Sequence, residues 1–387
     1  MKRVYIPCEF NPFHYGHKYL TDTLKERGFT QIAGGMSGPF VQRGQCAIFD
    51  RKIRAAAAVN AGVNLIIQLP HIYSCANAEL FARGHVRLAL LTGSDCFAFG
   101  TQDIQEDKLE RAADIILKGE AEKAIAEKIK VNIPYPAARI AALEELTGWD
   151  YGFLKKSNNI LALEYLIAIR KFAPSLSPLA VPRRAFPSAS EIREEYLAGR
   201  DISSMLPLEY YEGRLPAPRS LEEYSMIFKA MLLLKPAEAV ADTADLPRGL
   251  GDRLIAKAGI LSEGLERFAE GVSGKTTTKS RVRRSLINCA LNVTKEDIRY
   301  FKENPPDYIR LLAADDTGRK MLNDIKENNL ANIITKLPDV IKKLTEPSLR
   351  AVKIDAAAQN LWDLFEMRVN EDYRYTPYIK GTAYDLK

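Results

Sequence analysis

The stretch "CEFNPFHYGHKYL", Cys8 to Leu20, decides how this chain folds. The apolar run "RVYIPC" (Arg3–Cys8) leads into it and reads as a strand. After Asn11-Pro12 the chain turns, and a helical pattern starts near Gly16-His17. In "GHKYLTDTLKERG", Leu20 and Leu24 stand four apart and a glycine closes the run. A helix that begins directly after a strand presents free backbone N–H groups and a partial positive charge, a ready site for phosphate. Gly16 lets a ligand press close to the backbone. The chain has only four histidines, and His14 and His17 both fall here, three apart. On a first helical turn they project to one side, where two imidazoles can donate to phosphate oxygens and stabilise charge in phosphoryl or adenylyl transfer. The plain alternative is a strand-to-helix turn with two surface histidines.

Outward from this turn the pattern repeats. "QIAGGM", "NLIIQLP" and "CFAFGT" are strand candidates. Between them lie the helical stretches "FDRKIRAAAAVNAG" and "NAELFARGHVRLALLTG". Such alternation predicts a parallel sheet with helices on both faces, a Rossmann-like α/β domain whose ligands bind at the carboxyl ends of the strands. Glu106–Trp149 is helical and charged, Asn158–Phe172 is an amphipathic helix, and "LAVPRRAF" reads as the last strand. "PSASEIREEYLAG" (Pro187–Gly199) is a helix with Glu191 three beyond Ser188, the spacing of a capping box. Residues 200–220 hold several prolines and read as a linker. From Leu221 the chain reads as mainly helical, near Glu222–Leu234, Leu250–Gly259, Lys279–Asn292 and Leu349–Val369. The division expected is therefore a catalytic domain over 1–199, a linker over 200–220 and a helical domain over 221–387.

Composition narrows the classes. Hydrophobic content of 47% with 27% charged residues suits a globular protein with a real core. No apolar run approaches the roughly 18–20 residues of a membrane helix, so no membrane partner is expected. "MKRVYIPCEF" turns polar too soon for a secretory signal. Five scattered cysteines, never spaced CxxC, argue against a disulfide framework and a zinc site and for a reducing cytoplasm. The net charge of +6 permits a nucleic-acid partner without establishing one.

Two elements together carry a family resemblance. "FNPFHYGHKYL" resembles the HxGH motif of the nucleotidyltransferase superfamily, and "SASEIR" resembles its downstream phosphate-binding helix start, with Ser188, Ser190 and Arg193 at the matching positions. Physically the second element is another anion site, built of capping hydroxyls, free N–H groups and a guanidinium fork. "MSGPFVQRGQCAIFDRKIRAAAAVNAGVNLIIQLP" and "SCANAELFARGHVRLALLTGSDCFAFGT" narrow the resemblance to the tRNA(Met) cytidine acetate ligase family, over the whole catalytic half. That resemblance implies ATP (as MgATP) and acetate as substrates, elongator tRNA(Met) as acceptor, an acetyl-adenylate intermediate, and an acetyl group delivered to N4 of the wobble cytidine. It implies charge stabilisation by His14 and His17, and ATP contacts from Pro7, Phe10, Asn11, Gly16, His17, Leu20 and Gly100. It adds Asn158 or Asn159, Arg183 or Arg184, and Ser188, Ser190 and Arg193. It implies no metal ligand from protein side chains. The family's longer loop after the last strand is absent, because "RRAFPSAS" runs straight into the serines.

Three further groups are candidates. "SGPFVQRGQ" lies at a strand's carboxyl end, which makes Ser37, Gln42 and Arg43 plausible contacts to substrate or pyrophosphate. Asp50, Lys52 and Arg54 open the next helix, facing either the site or solvent. In "GKTTTKSRVRRSLINCALN", Lys275, Lys279, Arg281, Arg283 and Arg284 come without an acid between them and suit a phosphate backbone, while Val282, Leu286, Ile287 and Leu291 would dock. His71 and His85 read as structural. The tyrosines of "EMRVNEDYRYTPYIKGTAY" could stack on unpaired bases or belong to a docked tail. A small-molecule adenylyltransferase, a non-catalytic tRNA-binding protein and an aminoacyl-tRNA synthetase relative are the alternative functions. The last lacks a KMSKS-like loop.

Overall fold

Four strands of the first hundred residues pair side by side in the computed structural model, which describes residues 2–102, 105–213, 215–366 and 369–381. They are β1 (Arg3–Cys8), β2 (Gln31–Ser37), β3 (Leu65–Leu69) and β4 (Cys96–Thr101). With β5 (Ser177–Pro182) they stand in the order β5-β4-β1-β2-β3, all parallel. The order reverses between β1 and β4, and this is where a doubly wound sheet opens a crevice.

Strand alternation fills two cores. Tyr5, Ala33, Leu65, Ile67, Phe97 and Phe99 face one side. Val4, Ile6, Ile32, Met36, Ile66 and Ala98 face the other. Helices α1 (Tyr15–Glu26) and α2 (Arg51–Asn60) cover the second face; α3 (Ala78–Leu91) and α4 (Ser157–Phe172) cover the first. The two glycines of "QIAGGM" have a packing reason. A Cβ on Gly35 would sit 1.8 Å from the Tyr5 hydroxyl, which reaches past it to bond His85 Nδ1 at 2.8 Å. His85 is fully buried and His71 nearly so, with His71 Nε2 bonded to Asn288 Oδ1, so both serve the structure.

The C-terminal half is mainly helical, as expected, but it also returns to the sheet. β6 (Tyr308–Ala314) pairs antiparallel with β3, and β7 (Asn332–Ile334) and β8 (Tyr378–Ile379) pair with β6. The sequence reading did not anticipate these strands. "YIRLLAA" is buried at every position, so it has no period-2 pattern to separate it from its helical neighbours. The helices α5 (Ala189–Leu197) and α6 (Lys279–Ala290) match the predicted stretches, whereas α7 (Glu346–Trp362) starts three residues earlier than expected and ends at Trp362, short of the expected Val369. Residues 367–368, at the end of the last expected helix, lie outside the described residues.

A third core lies among the C-terminal helices, with Phe228, Leu254, Phe268, Val282 and Leu286, and it takes in Phe40 and Cys46 from the loop after β2. The described part of 200–220 holds one short 3-10 turn, Leu208–Tyr211, and is packed: Tyr211 is buried and its hydroxyl donates to the Phe13 carbonyl. All five cysteines are buried, free thiols. Among the described residues, no helix is long and apolar enough to cross a membrane.

Candidate active site

A cleft of about 690 Å³ opens where β1, β4 and β5 end, within the usual range of ligand pockets. His14 is the N-cap of α1. Its Nδ1 accepts from the Gly16 N–H at 3.0 Å, and His17 Nδ1 accepts in return from the His14 N–H at 3.2 Å. This reciprocal capping box is made of two histidines. It also settles their tautomers: with Nδ1 accepting, each neutral ring carries its proton on Nε2 and is a donor there. The rings lie 3.9 Å apart between centroids. Burial, with Arg183 and Arg193 nearby, lowers His14 to about 4; burial, His14 and Arg183 push His17 well below the usual imidazole range. Both rings are therefore neutral hydrogen-bond donors at physiological pH.

Behind the turn stands a side chain whose role the sequence did not disclose. Arg54 is fully buried, not part of a solvated helix start. Its guanidinium donates to the carbonyls of Glu9, Ser37, Gly38 and Phe49, tying the ends of β1 and β2 to the start of α2. Burial pulls Arg54 down to about 10, so it stays cationic at neutral pH. Asn11 lines the cleft, but its side chain is engaged inward: Oδ1 accepts from the Ile48 N–H and Nδ2 donates to the Cys46 carbonyl. These two bonds hold the shape of the turn. Pro7, Phe10, Gly16 and Leu20 line the cleft as expected, and the Phe10 ring packs on His17 at 4.9 Å.

The loop after β2 splits its three candidates. Gln42 and Arg43 line the cleft. Ser37 does not: it is buried at the end of β2, below the loop. Gly100 lines the cleft beside Arg183, whose Cγ a Cβ there would meet at 3.3 Å. Of the two asparagines only Asn158 lines the cleft. Asn159 is buried and holds the turn after β4, bonding both the N–H and the carbonyl of Gln102. Arg183 and Arg184 both line the cleft, and Arg184 stacks over Tyr19 at 4.5 Å.

Across the cleft α5 begins with the expected box. Ser188 Oγ accepts from the Glu191 N–H, and Glu191 accepts from the Ser188 N–H. Arg193 donates to the Asn11 carbonyl at 2.6 Å, to Gln45 Oε1 at 2.9 Å and to Ser190 Oγ at 3.1 Å. It thus locks the second anion site to the first, and part of its donor capacity is already used. Glu9 and Gln45 also line the cleft; the sequence reading had not singled them out. Among the described residues that line the cleft Glu9 is the one carboxylate, against Arg43, Lys156, Arg183, Arg184 and Arg193.

The basic helix α6 is less free than its sequence implied. Thr278 caps it, and Val282, Leu286 and Ile287 are buried, as expected. Acids distant in sequence meet its cations: Lys279 pairs with Glu270, Arg283 with Glu266, and Arg281 and Arg284 with Asp245. Arg284 is buried and donates to the Gln42 carbonyl at 3.4 Å. Gly44 packs on the same helix; a Cβ there would meet Arg284 N at 2.5 Å. Lys275 is exposed. Two of the C-terminal tyrosines are docked: Tyr375 donates to the Leu312 carbonyl and lies under Arg51, and Tyr378 donates to Asn60, while Tyr384 lies outside the described residues. Among the described residues, no group of three His, Cys, Asp or Glu side chains could hold a metal.

Known proteins resemble this chain along nearly its whole length. The family model described as HIGH Nucleotidyl Transferase matches residues 1–375. A tRNA(Met) cytidine acetate ligase of Thermoanaerobacter pseudethanolicus is 34% identical over 372 residues, covering 89% of this chain and 91% of that protein. One of Acetivibrio thermocellus is 30% identical over 396 residues, 94% of each. A crystal structure of Thermotoga maritima TmcAL bound with alpha-thio ATP superposes with a TM-score of 0.91 at 27% identity, covering 98% of this chain and 99% of that one.

Proposed function

The chain belongs to the tRNA(Met) cytidine acetate ligases of the HIGH nucleotidyl transferase family, and from that premise we propose that it joins acetate to N4 of the wobble cytidine of elongator tRNA(Met), using ATP. One observation carries the chemistry: two neutral histidine donors at the start of α1 face a second anion site at the start of α5 across a cleft lined by cations. In the first half-reaction an acetate oxygen attacks the α-phosphorus of ATP, and pyrophosphate leaves. The Nε2–H groups of His14 and His17 stabilise the charge gathering on the α-phosphate oxygens. Arg183, Arg184 and the free N–H groups of α5 take the β- and γ-phosphates, and Arg193 keeps the two anion sites in register. The cytidine amine then displaces AMP from acetyl-adenylate. Positioning and charge stabilisation suffice for activation, so no protein nucleophile is required.

Mg2+ belongs to the proposal as a passenger on the ATP phosphates, where it supplies charge neutralisation. The described residues lining the cleft include no cluster of carboxylates that would make a dedicated protein cage for it. The helical segment around α6 presents the tRNA, with Lys275 as its exposed cation. The 1–199 and 221–387 segments divide catalysis from RNA binding. A cytoplasmic location follows from the acceptor. The test is mass spectrometry of tRNA(Met) incubated with protein, ATP and acetate: one acetyl group gained on cytidine is the expected result. If labelled acetate never reaches RNA while ATP–pyrophosphate exchange proceeds with another acceptor, the ligase reading fails.

A further inference from the structure

We propose that the end of the cleft beneath β1 is the acceptor subsite, that it holds an unstacked cytosine, and that Glu9 is the base that takes the N4 proton. The proposal rests on the ligase reading above. Glu9 is out of place for activation. Every other charged lining residue named above suits phosphate, whereas a carboxylate repels both phosphate and acetate. It suits the other substrate, since carboxylates accept from the exocyclic N4 amine of cytosine.

Its geometry is set for that task. Arg54 pins the Glu9 carbonyl at 2.7 Å, and Glu9 Oε1 accepts from the Gln42 N–H at 2.8 Å. Oε2 has no partner among the described residues. Beside it Phe81, Phe99, Leu161 and Tyr165 line the same cleft, an apolar and aromatic wall of the kind that receives a base taken out of its stack. Tyr165 is 5% exposed, its ring lies 5.5 Å from Phe99, and its hydroxyl has no hydrogen-bond partner among the described residues. The hydroxyl is not sealed off from the cleft, so an acceptor on a bound ligand can reach it. The O2 or N3 acceptor of cytosine is such a group. Burial, then the charge of Glu9, holds Tyr165 in its protonated, donating form.

The step balances. The N4 lone pair forms the C–N bond at the acetyl carbon, the C–O bond to AMP breaks, AMP leaves with that electron pair, and the N4 proton passes to Glu9 Oε2. An amine becomes acidic as its new bond forms, so a carboxylate can accept the proton.

The experiment compares full-length wild type with Glu9→Gln, which keeps an oxygen for the Gln42 N–H. Acetate-dependent ATP–pyrophosphate exchange reads activation, and labelled acetyl in tRNA(Met) reads transfer. Glu9→Gln is expected to keep exchange and to lose transfer by on the order of 10²–10⁴-fold, the usual contribution of a general base. Hydroxylamine, a nucleophile that needs no such base, should still trap the acetyl group. Transfer at the wild-type rate, or exchange falling in step with transfer at an unchanged melting temperature, overturns the assignment. Should Glu9→Gln not fold, Tyr165→Phe decides: the KM for tRNA should rise by up to about tenfold with exchange retained, and an unchanged KM overturns the subsite. Wild-type protein that shows no acetate-dependent exchange would instead sink the ligase reading.

Discussion

His14 and His17 are a cap before they are a catalytic pair. Each spends Nδ1 on a backbone N–H of the other's turn, so each can offer only Nε2–H to a ligand. Replacing His17 by alanine removes one donor and half of the capping box. Acetate-dependent exchange should fall about 10²–10³-fold, as when an oxyanion donor is lost, while tRNA binding measured by filter retention stays near wild type. A loss of both would mean that the turn itself had collapsed.

The same residues set a pH response. His14 and His71 sit near 4 and His85 near 3, all lowered first by burial from an ordinary value of 6.5. The unfolded chain binds protons that these native rings refuse. Their contribution is therefore complete above about 6.5 and is lost as pH falls toward 4 and 3. Asp355, pushed up to about 7 by burial, acts in the opposite sense: it favours the fold while protonated and fades as pH rises through about 7. The melting temperature should drop between pH 6.5 and 4, and the drop should be shallower in His85→Asn. Equal slopes in the two proteins would contradict this account.

At the scale of elements, the site depends on how strand ends are tied. A loop of backbone carbonyls buried without donors is unstable. Arg54 supplies donors to four of them at once, from β1, β2 and the approach to α2. Arg54→Met keeps the bulk and removes the donors. It should cost on the order of 3 kcal/mol or more in denaturant unfolding and weaken ATP binding in parallel, since the Glu9–Asn11 turn hangs on the same group. Unchanged stability would show that water can replace the clamp. Arg54 could not be recognised from "FDRKIR", because an arginine on a first helical turn is ordinarily solvated. Only the meeting of three segments makes it interior.

At the scale of the molecule, the basic helix and the catalytic loop are one contact. Arg284 joins Asp245 on one side and the Gln42 carbonyl on the other, and Gly44 rests on its backbone. Its work lies in placing Gln42 and Arg43, so Arg284→Ala should lower activation itself, with ATP–pyrophosphate exchange as the readout. Lys275→Ala should leave exchange alone, weaken tRNA binding a few-fold, and lower the slope of log K against log salt by about 1. If both variants act only on tRNA binding, the loop and the helix are not coupled.

The local elements of the first half, the HxGH turn, the capped α5 and the cleft at the carboxyl ends were all readable from the chain. They depend on spacing within one turn or strand, and that spacing is written in consecutive residues. The return of β6 to the sheet, the burial of Ser37 and Asn159, the pairing of α6 with distant acids and the isolation of Glu9 among cations were not readable. Each depends on which residues meet across the chain, as Leu65 of β3 meets Ala314 of β6, more than 200 positions on. Local geometry follows from sequence order, whereas burial and charge pairing exist only once the layers have packed.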